Sequence, residues 1–196
     1  MIDYSKFLNN SIQEIKPSGI RKFFDIASEM DDVISLSIGE PDFQTPWHIR
    51  EEGINSLKNG KTWYSPNRGF AQLREEIANY YARRFNISYE GKTQVLVTVG
   101  GSEAIDLAFR CLVSEGDEVI IPEPSFVCYE PLTHMAGGKA VIINTKAEDQ
   151  FRLKADDLEK AITDKTRLVV LPFPNNPTGA IMEKEDLEAV AEVIKT

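Results

Sequence analysis

Gln94-Val95-Leu96-Val97-Thr98-Val99-Gly100-Gly101-Ser102-Glu103-Ala104 is the stretch that decides the fold class. A short apolar run ends in two glycines and passes at once into helical spacing, so it reads as a strand, a tight turn and a helix opening near Ser102. The same change of period recurs downstream. Apolar runs at Gln94–Val99, Glu118–Pro122, Lys139–Asn144 and Arg167–Phe173 predict strands, and helical periodicity at Ser102–Val113, Ser125–Ala136, Ala155–Ile162 and Glu183–Ile194 predicts the helices between them. Continuously apolar strands that alternate with helices need cover on both faces. The expected fold is therefore α/β, with three layers (α/β/α) around a mostly parallel sheet.

Upstream of this region, Phe70, Leu73, Ile77, Tyr81 and Phe85 recur at three- and four-residue steps and predict a four-turn helix after Gly69. A shorter helix is expected from Thr45, read as its cap, with Pro46 at the tolerated first position and an end near Gly60. Before it, Val33–Ile38 alternates apolar residues with serine and runs into Gly39-Glu40-Pro41-Asp42, a strand and a turn. Residues 11–30 read as a short arm, a break at Pro17-Ser18-Gly19, then a helix. The last residues, Glu192-Val193-Ile194-Lys195-Thr196, still follow an amphipathic helical pattern with no closing glycine, so the end reads as cut.

Composition narrows the function classes. With 22 Lys and Arg against 31 Asp and Glu the formal charge is −9, and no basic run stands out, so nucleic acid is not an expected partner. No apolar run approaches the length needed to cross a bilayer. The start of the sequence has neither the basic nor the apolar segment of a secretory leader, and there are only two cysteines, Cys111 and Cys128, so a cytoplasmic protein is expected.

Ligands of open α/β sheets gather at the carboxyl ends of the strands. Three such ends stand out. Gly100 and Gly101 allow close backbone approach to a helix start, where unpaired amides and the positive end of the helix dipole favour a phosphate. Neither a dinucleotide nor a nucleoside-triphosphate glycine motif is present. Glu118–Pro122 runs into Glu123-Pro124-Ser125-Phe126, with Tyr129 beyond, and Leu168–Phe173 runs into Pro174-Asn175-Asn176-Pro177-Thr178-Gly179. Taken singly, the glycine pair is a tight turn, Phe126 a core residue and the Asn-Pro-Thr-Gly a good turn.

In combination these features resemble the class I and II aminotransferases, pyridoxal phosphate enzymes of fold type I. The resemblance rests on Ser37-Ile38-Gly39-Glu40-Pro41-Asp42-Phe43, on Tyr64-Ser65-Pro66 with Gly69 and Leu73-Arg74, on Thr98-Val99-Gly100-Gly101-Ser102-Glu103-Ala104, on Pro122–Phe126 with Tyr129, and on Asn175–Gly179, all in order through nearly the whole chain. It implies an N-terminal segment over residues 1–43 and the first part of the coenzyme-binding large domain over 44–196. It further implies that the amides of Gly101, Ser102 and Glu103 cup the coenzyme phosphate, that Phe126 stacks on the pyridine ring and that Asn176 donates to the phenolic oxygen through a turn whose Asn-Pro bond is cis in relatives. Tyr64 would reach the phosphate of a neighbouring subunit in a homodimer, and Gly39 would lie near the substrate carboxylate. The implied activity is amino transfer between an amino acid and a 2-oxo acid. The same motifs also fit a pyridoxal phosphate C–S β-lyase, or a non-catalytic dimerisation or effector domain of this fold. The family's Schiff-base lysine, pyridinium-pairing Asp, phenolic-oxygen Tyr and carboxylate-binding Arg would follow Thr196, so no catalytic residue is assigned in this chain and the chain alone is expected to be inactive. Lys139, Lys146, Lys154, Lys160, Lys165 and Lys184 read as solvated, His48 and His134 as structural, and no metal site is expected.

Overall fold

The computed structural model describes residues 4–13, 15, 19, 26, 29–30, 34, 39 and 42–195. Most of the arm and helix expected over 11–30, and nearly all of the strand expected over 33–38, lie outside these residues; a four-residue helix, α1, spans Asn10–Gln13. Two compact units divide the chain, one formed by residues 1–18 with 99–196 and the other by residues 19–98.

In the second unit, α2 (Trp47–Lys58) and α3 (Ala71–Phe85) follow the predicted periodicity. Pro46, not Thr45, is the residue at the start of α2. It is extended at φ −51°, ψ 140°, and no side chain caps that end. The predicted strand at Gln94–Val99 does not form. A strand is defined by a partner backbone, and the Val97 amide instead donates to the Arg68 carbonyl (3.2 Å) in the loop before α3. Gly69, at φ +86°, makes this approach possible: a Cβ there would stand 2.7 Å from that of Val97.

The first unit carries the sheet. Its elements in order are α4 (Gly101–Leu112), β1 (Glu118–Glu123), α5 (Tyr129–Met135), β2 (Lys139–Asn144), α6 (Ala155–Ala161), β3 (Thr166–Val169) and α7 (Lys184–Lys195). The three strands are parallel in the order β2-β1-β3. Because side chains alternate across a strand, β1 feeds both layers at once. Val119 and Ile121 join Phe109 of α4, Val113 just after it and Leu132 of α5 on one face, whereas Ile120 joins Ile143, Leu153, Leu158 and Val190 on the other. The three-layer α/β/α arrangement is the expected one.

Two elements are shorter than predicted, both because of proline. Helix α5 begins at Tyr129 rather than Ser125, since Pro131 has no amide and its ring would meet the preceding turn, so only the first turn admits it. Strand β3 stops at Val169 rather than Phe173. Pro172 and Pro174 have no donor to offer the ladder, and the last bond to β1 is from the Val170 amide to the Ile120 carbonyl (2.9 Å).

Candidate functional site

The carboxyl ends of β1 and β3 and the start of α4 meet at one open cleft of about 490 Å3. Its lining includes Gly101 and Ser102 from α4, Phe126 and Tyr129 from the turn and helix after β1, and Asn176 from the turn after β3, with Ile105 and residues 171–174 supplying apolar wall. Four predicted site residues, Gly101, Ser102, Phe126 and Asn176, are thus brought together.

Each reaches the cleft for a local reason. Gly100 sits at φ 82°, ψ 166°, a conformation that only glycine adopts readily, and it turns the chain sharply into α4. No side chain caps the helix at this residue, and the first amides of a helix have no partner within the helix itself. The Glu103 side chain points elsewhere: its carboxylate accepts a short hydrogen bond from the Val99 amide, tying the incoming chain to the first helical turn. That leaves only the backbone of Glu103 for anion binding, and the residue is not among the cleft-lining ones.

Phe126 and Tyr129 meet edge to face, with ring centroids 6.1 Å apart and planes at 88°. Burial raises the Tyr129 hydroxyl above its ordinary pKa, and neighbouring Cys128 adds to the rise, so at neutral pH the phenol is protonated and can donate. Burial likewise raises the Cys128 thiol, which holds it as a neutral thiol rather than a nucleophile.

The turn after β3 is closed by two backbone bonds, from the Asn175 amide to the Ala180 carbonyl (2.9 Å) and from the Gly179 amide to the Asn175 carbonyl (2.8 Å). The peptide bonds Glu123-Pro124, Phe173-Pro174 and Asn176-Pro177 are cis. Sequence reasoning singled out Asn176 here and passed over Asn175, whose side chain is buried and bonded to Pro124. Two adjacent asparagines give no local clue to which faces the cleft.

Tyr64 and Gly39 belong to the other unit. The Tyr64 side chain is fully exposed, and no atom of the described residues lies within 4 Å of the position a Cβ would take at Gly39. No lysine lines the cleft among the described residues. Lys139, Lys146, Lys154, Lys160 and Lys184 each pair with a carboxylate, and Asp149 raises the pKa of Lys154, the direction opposite to that of a nucleophilic amine. Among the described residues no group of His, Cys, Asp and Glu could hold a metal ion, and no helix is long and apolar enough to cross a membrane.

Comparison with known proteins places this geometry. The aminotransferase class I and II family matches residues 31–196. Aromatic-amino-acid aminotransferase 2 of Thermococcus litoralis is 44% identical over 94% of the chain and 48% of its own length, and the aspartate aminotransferase of Pyrococcus abyssi is 43% identical over the same shares. The solved structure of aspartate aminotransferase from Thermus thermophilus with maleate superposes with a TM-score of 0.89 at 37% identity, covering 96% of this chain and 50% of that one. The chain spans about half the length of the curated relatives it matches. The amide-rich helix start, aromatic wall and asparagine turn therefore sit in a polypeptide that belongs to the class I and II aminotransferase family.

Proposed function

We propose that the protein carrying this chain is a pyridoxal 5'-phosphate-dependent aminotransferase that moves an amino group between an amino acid and a 2-oxo acid. The observation that carries this reading is the convergence, in one cleft, of an uncapped helix start, an aromatic wall and a side-chain amide. These groups fit the coenzyme. Among the described residues no atom lies within 4 Å of a Cβ built on Gly101, so no side chain crowds that point of the helix start, and the apolar wall suits a flat ring. When bound, pyridoxal phosphate supplies a ring that delocalises the charge developing at the substrate α-carbon.

The amides of Gly101, Ser102 and Glu103 would hold the phosphate, Phe126 would provide the surface for the ring, and the Asn176 amide would donate to the phenolic oxygen. Such a charge-assisted bond favours the ionised phenol. Gly39 would lie near the substrate carboxylate, within the N-terminal segment 1–43 that precedes the coenzyme domain beginning at residue 44. Tyr64 would reach the phosphate of a second subunit in a homodimer. Its full exposure, beside a Trp63 that is 68% exposed, supports a role at an interface. A cytoplasmic setting and a part in amino acid biosynthesis belong to the same proposal; Cys111 and Cys128 are both free thiols, as a reducing compartment would keep them.

The test is amino transfer by the whole protein, with aspartate or an aromatic amino acid as donor and 2-oxoglutarate as acceptor. Coenzyme-dependent formation of glutamate is expected. Release of pyruvate and ammonia from cystathionine without amino transfer would replace this reading by the β-lyase one, and saturable coenzyme binding with neither reaction would point to a binding domain.

A further inference from the structure

Asn175 is 6% exposed, and its Nδ2 donates to the Pro124 carbonyl at 2.8 Å. That bond joins the turn after β3 to the turn after β1. Asn176 is the next residue from one end of it and Phe126 the second residue from the other, so it spans two loops that each supply a cleft-lining residue. The Asn175 backbone closes its own turn through both amide and carbonyl, which fixes the Cα from which the side chain reaches across.

A purely stabilising role accounts poorly for this residue. Its Oδ1 is buried and finds no donor among the described residues, so the fold bears the desolvation of one end of the amide for a single hydrogen bond at the other. An apolar side chain of similar volume would remove the orphaned oxygen while giving up that bond, and the two effects oppose each other. The orientation of the two loops would still be lost.

We infer that Asn175 is a positioning residue: through Pro124 it holds Asn176 and Phe126 at the separation required by the coenzyme ring, while the amides of Gly101 and Ser102 at the phosphate end are set independently by the Gly100 turn. The inference rests on the coenzyme reading above. It separates two ends of one ligand, so two probes test it.

The experiment compares the whole protein, stripped of coenzyme, with its Asn175→Leu variant. Affinities for pyridoxal 5'-phosphate and for inorganic phosphate, the latter by competition, are measured together with the thermal unfolding midpoint of the coenzyme-free form. The expected result is coenzyme affinity weakened about tenfold, the scale of one buried hydrogen bond, with phosphate affinity and unfolding midpoint unchanged. Equal coenzyme affinity in the two proteins overturns the inference. So does a parallel loss of both affinities with a lowered midpoint, which makes Asn175 structural only. Absence of saturable coenzyme binding by the unaltered protein overturns the coenzyme reading itself and this inference with it.

If the leucine variant does not fold, Asn175→Asp decides. Its carboxylate offers no donor to Pro124, but its protonated form does, so its coenzyme defect relative to the unaltered protein at the same pH should narrow as pH falls. A defect that is absent or independent of pH overturns the inference.

Discussion

At the scale of single residues, the cleft is built from groups whose backbone is constrained before their side chains matter. Gly100 supplies a left-handed turn, the Glu103 carboxylate ties down Val99, and no side chain caps the helix start. Asn176 has a different standing, because its proposed work lies wholly in its side chain, while the residue lines the cleft on a turn closed by other residues' bonds. Asn176→Ala should therefore leave the fold intact and impair turnover. Loss of a charge-assisted bond of about 1.5–3 kcal/mol corresponds to roughly ten- to a hundredfold in rate when it acts at the transition state. Steady-state kinetics of the whole enzyme, alongside its unfolding midpoint, check this; unchanged turnover with coenzyme bound would remove Asn176 from the site.

Among the elements, β1 does the most, since it is central in the sheet and contributes to both packed layers. Its first residue, Glu118, is a nearly buried carboxylate at the strand end away from the cleft. It accepts from the Thr163 hydroxyl (2.7 Å) in the loop before β3 and from Lys139 Nζ (3.2 Å) at the start of β2. The Thr163 bond is the largest cause, followed by the Lys139 bond, that holds the Glu118 pKa below its ordinary value; desolvation opposes them. A depressed folded pKa means that this contribution to stability is fully present above the unfolded carboxylate pKa and is lost as pH falls through the folded one. Glu118→Gln should lower the denaturation midpoint at neutral pH, and its difference from the parent should shrink on acidification below the ordinary carboxylate range. Denaturant titrations across that range read the effect, and a constant difference would show that the charge is not what joins the three strands.

At the scale of the molecule, the assembly prediction rests on Tyr64. In the whole protein, sedimentation at working concentration should give a dimer, and Tyr64→Phe should weaken coenzyme affinity without dissociating it, since only the hydroxyl is assigned to the phosphate. A strictly monomeric active enzyme would refute the shared site. By itself the sequence determined the layer order and most helices, because periodicity and burial are local consequences of side-chain pattern: Phe109, Val119 and Leu158 are buried where their spacing requires. The motifs at the strand ends were legible for the same reason, since glycine, proline and asparagine constrain their own backbone. Only the tertiary structure decided that 94–99 pairs with a loop carbonyl instead of a strand, because β-structure depends on a partner remote in sequence. The resemblance had already picked out Asn176, which lines the cleft, but only the tertiary structure gave its neighbour Asn175 a partner, Pro124, because that contact is made by the turn after another strand and not by the chain around the asparagines.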